Sequence, residues 1–316
     1  MTLKLSYRKM RYFSGAMRML LENTLANKSS EILVFPHLGY GDILMSVPLF
    51  INLSKLNKKL HVLVTKNSFN LVTILIQGHD VNLLCIEDAL EQNYPANFSL
   101  QKKARLLARQ LKIPILFLGF DALKLHEQIR PDYDHNSVFY RLAKASPKSF
   151  WGDFRFSQKI LNATPKQFSM PTKEYAIVDH FPGTQREIPS SVLKEIESKK
   201  LQIVLNPRDV PFQELVHLLN GATELHLTNS ALLCFALLLN ISVKSKNIYL
   251  IHSGLYHGHC FYDQTWKEWI LAEKNRIPLE TPILVDRIAL YNSMKAKAQS
   301  PVRVLADKLF FPRIID

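Results

Sequence analysis

A doubly wound α/β chain, built as two Rossmann-like units facing a cleft, is predicted by three features of the sequence. Short apolar runs of strand type alternate with helically spaced segments, as in parallel sheets covered on both faces. The alternation lapses across 131–171, a stretch rich in aromatic residues and broken by Pro147 and Pro165, and then restarts. Finally, 316 residues with 47% hydrophobic and 21% charged side chains are enough for two cores.

Taken in order, 31–36 (EILVFP) reads as the first strand and 42–56 (DILMSVPLFINLSKL) as the first helix, despite Pro48. Strands follow at 60–65 (LHVLVT), 81–86 (VNLLCI) and 113–118 (IPILFL), with helices at 67–77 and at 100–111, the latter with a basic face. In the second half, strands are expected at 174–179, 201–205, 224–228 and 247–252. Helices are expected at 211–220, closed by Gly221 as a C-cap, and at 229–239, opened by an Asn229 cap. The domains are therefore 1–160 and 161–316, joined near 161–173, with the last helix packing back on the first domain.

Sheets of this class bind ligands beyond the carboxyl ends of their strands, so the strand-end loops carry the functional expectation. The first is HLGYGD, where Gly39 and Gly41 let the backbone bend and a ligand approach closely at a helix start. It is neither a dinucleotide fingerprint, since Leu44 stands where a third glycine is needed, nor a P-loop. Asp42 either caps the helix or aims a general base at the ligand. In the second half, VDHFPGTQRE carries His180 and Arg186, LNPRD carries Asn206 and Arg208, and a further strand runs into Thr228, Asn229 and Ser230. Three successive strand ends with polar or cationic residues suit a diphosphate, although helix capping accounts for Asn229 and Ser230 equally well.

The segment HLGYGDILMSVPLF resembles the amino-terminal LGD-x-(apolar)-x-x-x-P-L signature of heptosyltransferase-like glycosyltransferases of the GT-B fold. YAIVDHFPGTQREI, PFQELVHLLNGA and TELHLTNSALLCFALLL follow in that group's order, with SVFYRLAKASPKSFWGDFRF at the joint. The sequence departs from the pattern at Asp179-His180, where His-Asp is expected, and at Asn229, where aspartate is common. The resemblance implies transfer of a sugar from a nucleotide-sugar donor to a hydroxyl of a glycan or lipid-linked acceptor, inverting, with no metal and no further cofactor. It makes Asp42 the base, with Gly39 and Gly41 shaping its loop, and gives Arg186, Arg208, Asn229 and Ser230 to the donor's diphosphate, beside His180, Asn206 and Thr228.

The net charge of +13 fits either solvated lysines on helix faces or an anionic partner, which would be a phosphorylated donor, a membrane surface or nucleic acid. A non-catalytic nucleic-acid- or glycan-binding protein, using the basic N-terminus and LQKKARLLARQLK, is the rival reading. Met10, Phe13, Met17, Leu20 and Leu21 mark an N-terminal helix that either lies on an anionic membrane or packs on the protein's own body. Three scattered cysteines form no disulfide framework, and the expected location is cytoplasmic, with peripheral membrane contact. Two weaker signals, the Asp132-Tyr133-Asp134 triplet and the group His252, His257, His259 and Cys260, read as a loop turn and a glycine-bent loop rather than metal sites.

Overall fold

The computed structural model describes residues 18–37, 39–56, 58–91, 99–119, 135–145, 169–182, 187–207, 210–228, 230–239, 241, 243 and 245–249. They separate into two compact units. The first begins with helical residues 18–27 (α1) and continues through β1 (Glu31–Pro36), α2 (Tyr40–Lys55), β2 (Lys59–Val64), α3 (Lys66–Leu75) and β3 (Val81–Cys85). A π-helical turn (Glu87–Glu91), α4 (Leu100–Leu111), β4 (Ile115–Leu118) and α5 (His135–Leu142) complete it. The second runs β5 (Tyr175–Val178), α6 (Ser190–Ser198), β6 (Gln202–Leu205), α7 (Phe212–Gly221), β7 (Glu224–Thr228), α8 (Ala231–Leu239) and β8 (Ser245–Tyr249). The expected boundary at 160 and the expected last helix lie outside the described residues.

Each unit holds one four-stranded parallel sheet, ordered β3-β2-β1-β4 in the first and β6-β5-β7-β8 in the second. Central strands of such sheets are covered on both faces, which is why their sequences are apolar without interruption. From Ile32 to Phe35, β1 is fully buried, and so is nearly all of β4. Phe35 and Phe117 are register partners across β1 and β4. Their rings meet edge to face at 5.9 Å, a geometry that adds about 0.5–1.5 kcal/mol to the area they bury.

Helix α2 is buried without a break from Ile43 to Ile51. Pro48 lies inside it and removes the N–H that Leu44 O would accept. One residue further on, the buried Tyr140 hydroxyl of α5 donates to Met45 O at 3.0 Å, which ties this weakened turn to its neighbour.

As an edge strand, β4 leaves backbone groups without a ladder partner. Asn23 of α1 supplies one: its Nδ2 donates to Phe117 O at 2.8 Å and its Oδ1 accepts from Phe117 N at 2.7 Å. Met19, Leu20 and Ala26 are buried alongside it, while Leu21 and Leu25 point outward. So Leu20, but not Leu21, packs on the protein's own body. The end of α1 is closed by Lys58, whose Nζ donates to Ala26 O, Asn27 O and Ser29 O. Burial pulls that amine below its ordinary range.

The strands and helices predicted between residues 31 and 249 appear, with three local corrections. Helix α2 starts at Tyr40, two residues early, because Gly39 rather than Asp42 takes the N-cap position. Gly221 is the last residue of α7, and Ala222 is the C-cap in an extended conformation. The need for glycine there is steric, since a Cβ would sit 2.7 Å from the Tyr175 hydroxyl oxygen. Helix α8 starts at Ala231, and the capping contact comes from Ser230, whose Oγ accepts from Leu233 N at 3.4 Å.

Candidate functional site

In each sheet the order of strand addition reverses once, between β1 and β4 in the first and between β5 and β7 in the second. Chain leaving the carboxyl ends of two such strands diverges to opposite faces and opens a crevice. The side chains that gather at these two points are therefore the ones with access to a ligand.

At the first reversal, β1 runs out into His37 and β4 into Gly119. His37 Nδ1 lies 2.8 Å from Asp42 Oδ2, reaching from the strand end to the first turn of α2. The His37 side chain is 36% exposed and that of Asp42 22%, so the imidazole is the more open of the two. Its ring stacks on Phe139 of α5, with centroids 6.4 Å apart and planes 16° apart. Two glycines beside the pair leave room for it. A Cβ on Gly39 would collide with Asp42 Oδ2, and one on Gly119 would lie 2.9 Å from His37 Cβ and 3.0 Å from Cδ2.

Asp42 thus does not take the N-cap position, which Gly39 holds; its carboxylate faces a histidine that sequence reasoning passed over. Gly39 makes room for that carboxylate, and Gly41 lies partly exposed in the first turn of α2. A histidine at a strand end five residues before an acid in a helix's first turn was the available signal. The walls supplied by Gly119 and Phe139 come from parts of the chain too distant for local pattern to reveal.

At the second reversal, Asp179 is buried and accepts a 2.7 Å hydrogen bond from the fully buried Thr228 hydroxyl. Thr228 therefore braces the strand ends and presents no exposed surface. His180 is partly exposed, and its orientation is fixed by backbone contacts. Asn206, in a left-handed conformation with φ of 42°, holds the His180 backbone from both sides. Its Oδ1 accepts from His180 N at 2.8 Å and its Nδ2 donates to His180 O at 2.6 Å. Ile188 N donates to His180 Nδ1 at 3.0 Å, which leaves the neutral ring's proton on Nε2, a donor suited to an anion. Ser230 is buried at the start of α8. Arg186, Arg208 and Asn229 lie outside the described residues, as do Asp132, Asp134, His252, His257, His259 and Cys260.

The rim of β2 and β3 offers less. Glu87 Oε2 accepts from Lys66 N at 2.9 Å and from Cys85 Sγ at 3.2 Å, occupying the start of α3. Burial raises the Cys85 thiol above its ordinary range, so it stays protonated near neutral pH. The basic stretch of α4 is partly turned inward: Lys103 is buried, and Arg105 Nε pairs with both Glu22 oxygens at 2.8 and 3.0 Å while its guanidinium covers the Phe117 ring. That removes two cations from the surface a nucleic-acid partner would use. Among the described residues no three His, Cys, Asp or Glu side chains gather as metal ligands. Nor, among them, is any helix long and apolar enough to cross a membrane.

No family model and no curated protein matches the chain. Among solved structures it is similar to the iron-containing dodecameric glycosyltransferase TibC from enterotoxigenic E. coli H10407, at 12% identity over 85% of this chain and 76% of that one, with a TM-score of 0.45. It is also similar to the E. coli heptosyltransferase WaaC with ADP-2-deoxy-2-fluoro heptose, at 12% identity over 71% and 91% of the two chains and a TM-score of 0.40. A third, the calicheamicin glycosyltransferase CalG4, matches at 10% identity over 92% and 100%, with a TM-score of 0.33.

Proposed function

We propose that this protein transfers a sugar from a nucleotide-sugar donor to a hydroxyl of a glycan or lipid-linked acceptor, with inversion and without a metal. The observation that carries the reading is the acid–base pair His37–Asp42, held at the strand-order reversal of the first sheet. A partly exposed histidine–carboxylate pair at that place serves to remove a proton from a bound group, which is what an acceptor hydroxyl needs before it attacks an anomeric carbon.

The second sheet's reversal supplies the complementary chemistry. His180 offers Nε2–H to an anion, and Asn206, Thr228 and Asp179 keep the loop that bears it in place. Arg186, Arg208, Asn229 and Ser230 complete the grip on the donor's diphosphate, stabilising the charge that builds there as the sugar departs. A net charge of +13 favours an anionic donor and, for a lipid-linked acceptor, peripheral contact with an anionic membrane.

The direct test is a thermal-shift series with UDP-, GDP-, ADP-, CMP- and dTDP-sugars. A ligand that binds only the folded protein at 100 times its Kd adds about 2.7 kcal/mol and raises the melting temperature. One donor class is expected to stand out. A flat response to all five, together with retention on immobilised DNA or RNA that falls steeply with salt, would replace this reading with nucleic-acid binding.

A further inference from the structure

Sugar transfer needs one atom to take the acceptor's proton, and the family resemblance gives that role to Asp42. From the geometry of the pair we infer that it is His37 Nε2 instead, with Asp42 as a positioning residue acting through the imidazole; the assignment rests on the sugar-transfer reading above.

A carboxylate can only accept a hydrogen bond, so the 2.8 Å contact to Asp42 Oδ2 puts the neutral ring's proton on Nδ1 and its lone pair on Nε2. This is the arrangement in which an acid orients a histidine base and stabilises the imidazolium that forms. The surroundings fix both partners. Gly39, by lacking a Cβ, lets the Asp42 carboxylate close on the ring. Gly119 lies against His37 Cα, Cβ and Cδ2 at 3.2, 2.9 and 3.0 Å from where its own Cβ would be, and the Phe139 ring stacks on the imidazole. Elements β4, α2 and α5 thus converge on one side chain, and preorganisation of that kind matters when a reacting group's orientation decides the rate. Asp42 is also the less exposed partner, with one oxygen already committed.

In the transfer step the acceptor oxygen bonds to the anomeric carbon while the bond from that carbon to the donor's phosphate oxygen breaks. The bonding pair leaves with the nucleoside diphosphate. The hydroxyl proton passes to His37 Nε2, and the resulting imidazolium keeps its Nδ1–H on Asp42.

The full chain, labelled with ¹⁵N at its imidazoles, tests this by NMR and steady-state kinetics together. The ring signal absent from His37→Gln should report Nδ1 protonated and Nε2 bare at mildly alkaline pH, and Asp42→Asn should abolish that tautomer. With a donor found by thermal shift, His37→Gln should lower kcat/KM by about 10²- to 10⁴-fold with the donor's KM unchanged. The double variant should be no slower than His37→Gln alone, because the two side chains act as one unit. A His37→Gln enzyme within about threefold of wild type, alongside a dead Asp42→Asn, would send the proton straight to Asp42 and overturn this role alone. A wild-type ring protonated at Nε2 would overturn it as well. Wild-type protein that turns over no nucleotide sugar would instead bring down sugar transfer, and this role with it.

Discussion

Replacing Asn23 by alanine should be among the most damaging polar substitutions in the first unit. The side chain is buried and makes two short hydrogen bonds to a single residue of an edge strand, one to Phe117 O and one from Phe117 N. Its loss strands a buried carbonyl and a buried N–H together. Each group left unsatisfied costs about 1–3 kcal/mol, giving about 2–6 kcal/mol for the pair. Against a total stability of about 5–15 kcal/mol, that is a large share. Asn27→Ala is the matched control, since Asn27 makes one partly buried contact, Nδ2 to Leu142 O at 3.0 Å, worth about 0.5–1.5 kcal/mol. Urea unfolding of the two variants, compared at equal m-value, reads the difference directly. If Asn23→Ala shifts the midpoint no more than Asn27→Ala does, the edge strand finds other partners and the reasoning fails.

Three further outcomes are expected. Gly119→Ala should slow transfer by about 10²-fold by displacing His37, since the new methyl meets near-backbone atoms that cannot swing aside; an unchanged rate would show that the ring's position is not critical. Burial alone would raise the Glu224 carboxyl, but hydrogen bonds from Lys199 and His226 outweigh it and hold it below its ordinary value of 4.5. A carboxyl depressed in the fold adds stability above that value and loses it as pH falls through the depressed one, so Glu224→Gln should flatten the acid side of the stability curve below about pH 4.5. Burial pushes the Tyr175 phenol from 10.0 up to about 12, so its contribution is complete below pH 10 and is lost as pH climbs towards 12. Tyr175→Phe should remove that alkaline loss and also rescue Gly221→Ala, whose methyl would otherwise strike the hydroxyl; additive effects in the double variant would refute the clash.

What could be read in advance follows from range. The strands were legible because parallel sheets bury both faces of runs such as EILVFP and ELHLT, and burial leaves its mark residue by residue. The reversal points were legible only as loops with polar residues. Gly221 was misread because helix-end glycines usually supply a left-handed turn, whereas this one makes room for a tyrosine 46 positions earlier in the chain. Thr228 was taken for a ligand contact, since nothing in ELHLTNS shows that Asp179, from another strand, has claimed its hydroxyl. His37 went unnoticed for a related reason. Its partner Asp42 is near in sequence, but what turns the ring towards that partner is Gly119 and Phe139, some eighty and a hundred residues further on.

That separation bears on when the surroundings of this pair are completed during synthesis. The strand that walls the imidazole is the last of its four to leave the ribosome, and the ring that stacks on it follows later still. A nascent chain that has made β1 to β3 already owns both His37 and Asp42, yet lacks the Gly119 and Phe139 contacts to the ring. If the pair acts as proposed, competence arrives as a late event of maturation, and a truncated or stalled product is inert without any need for an inhibitor.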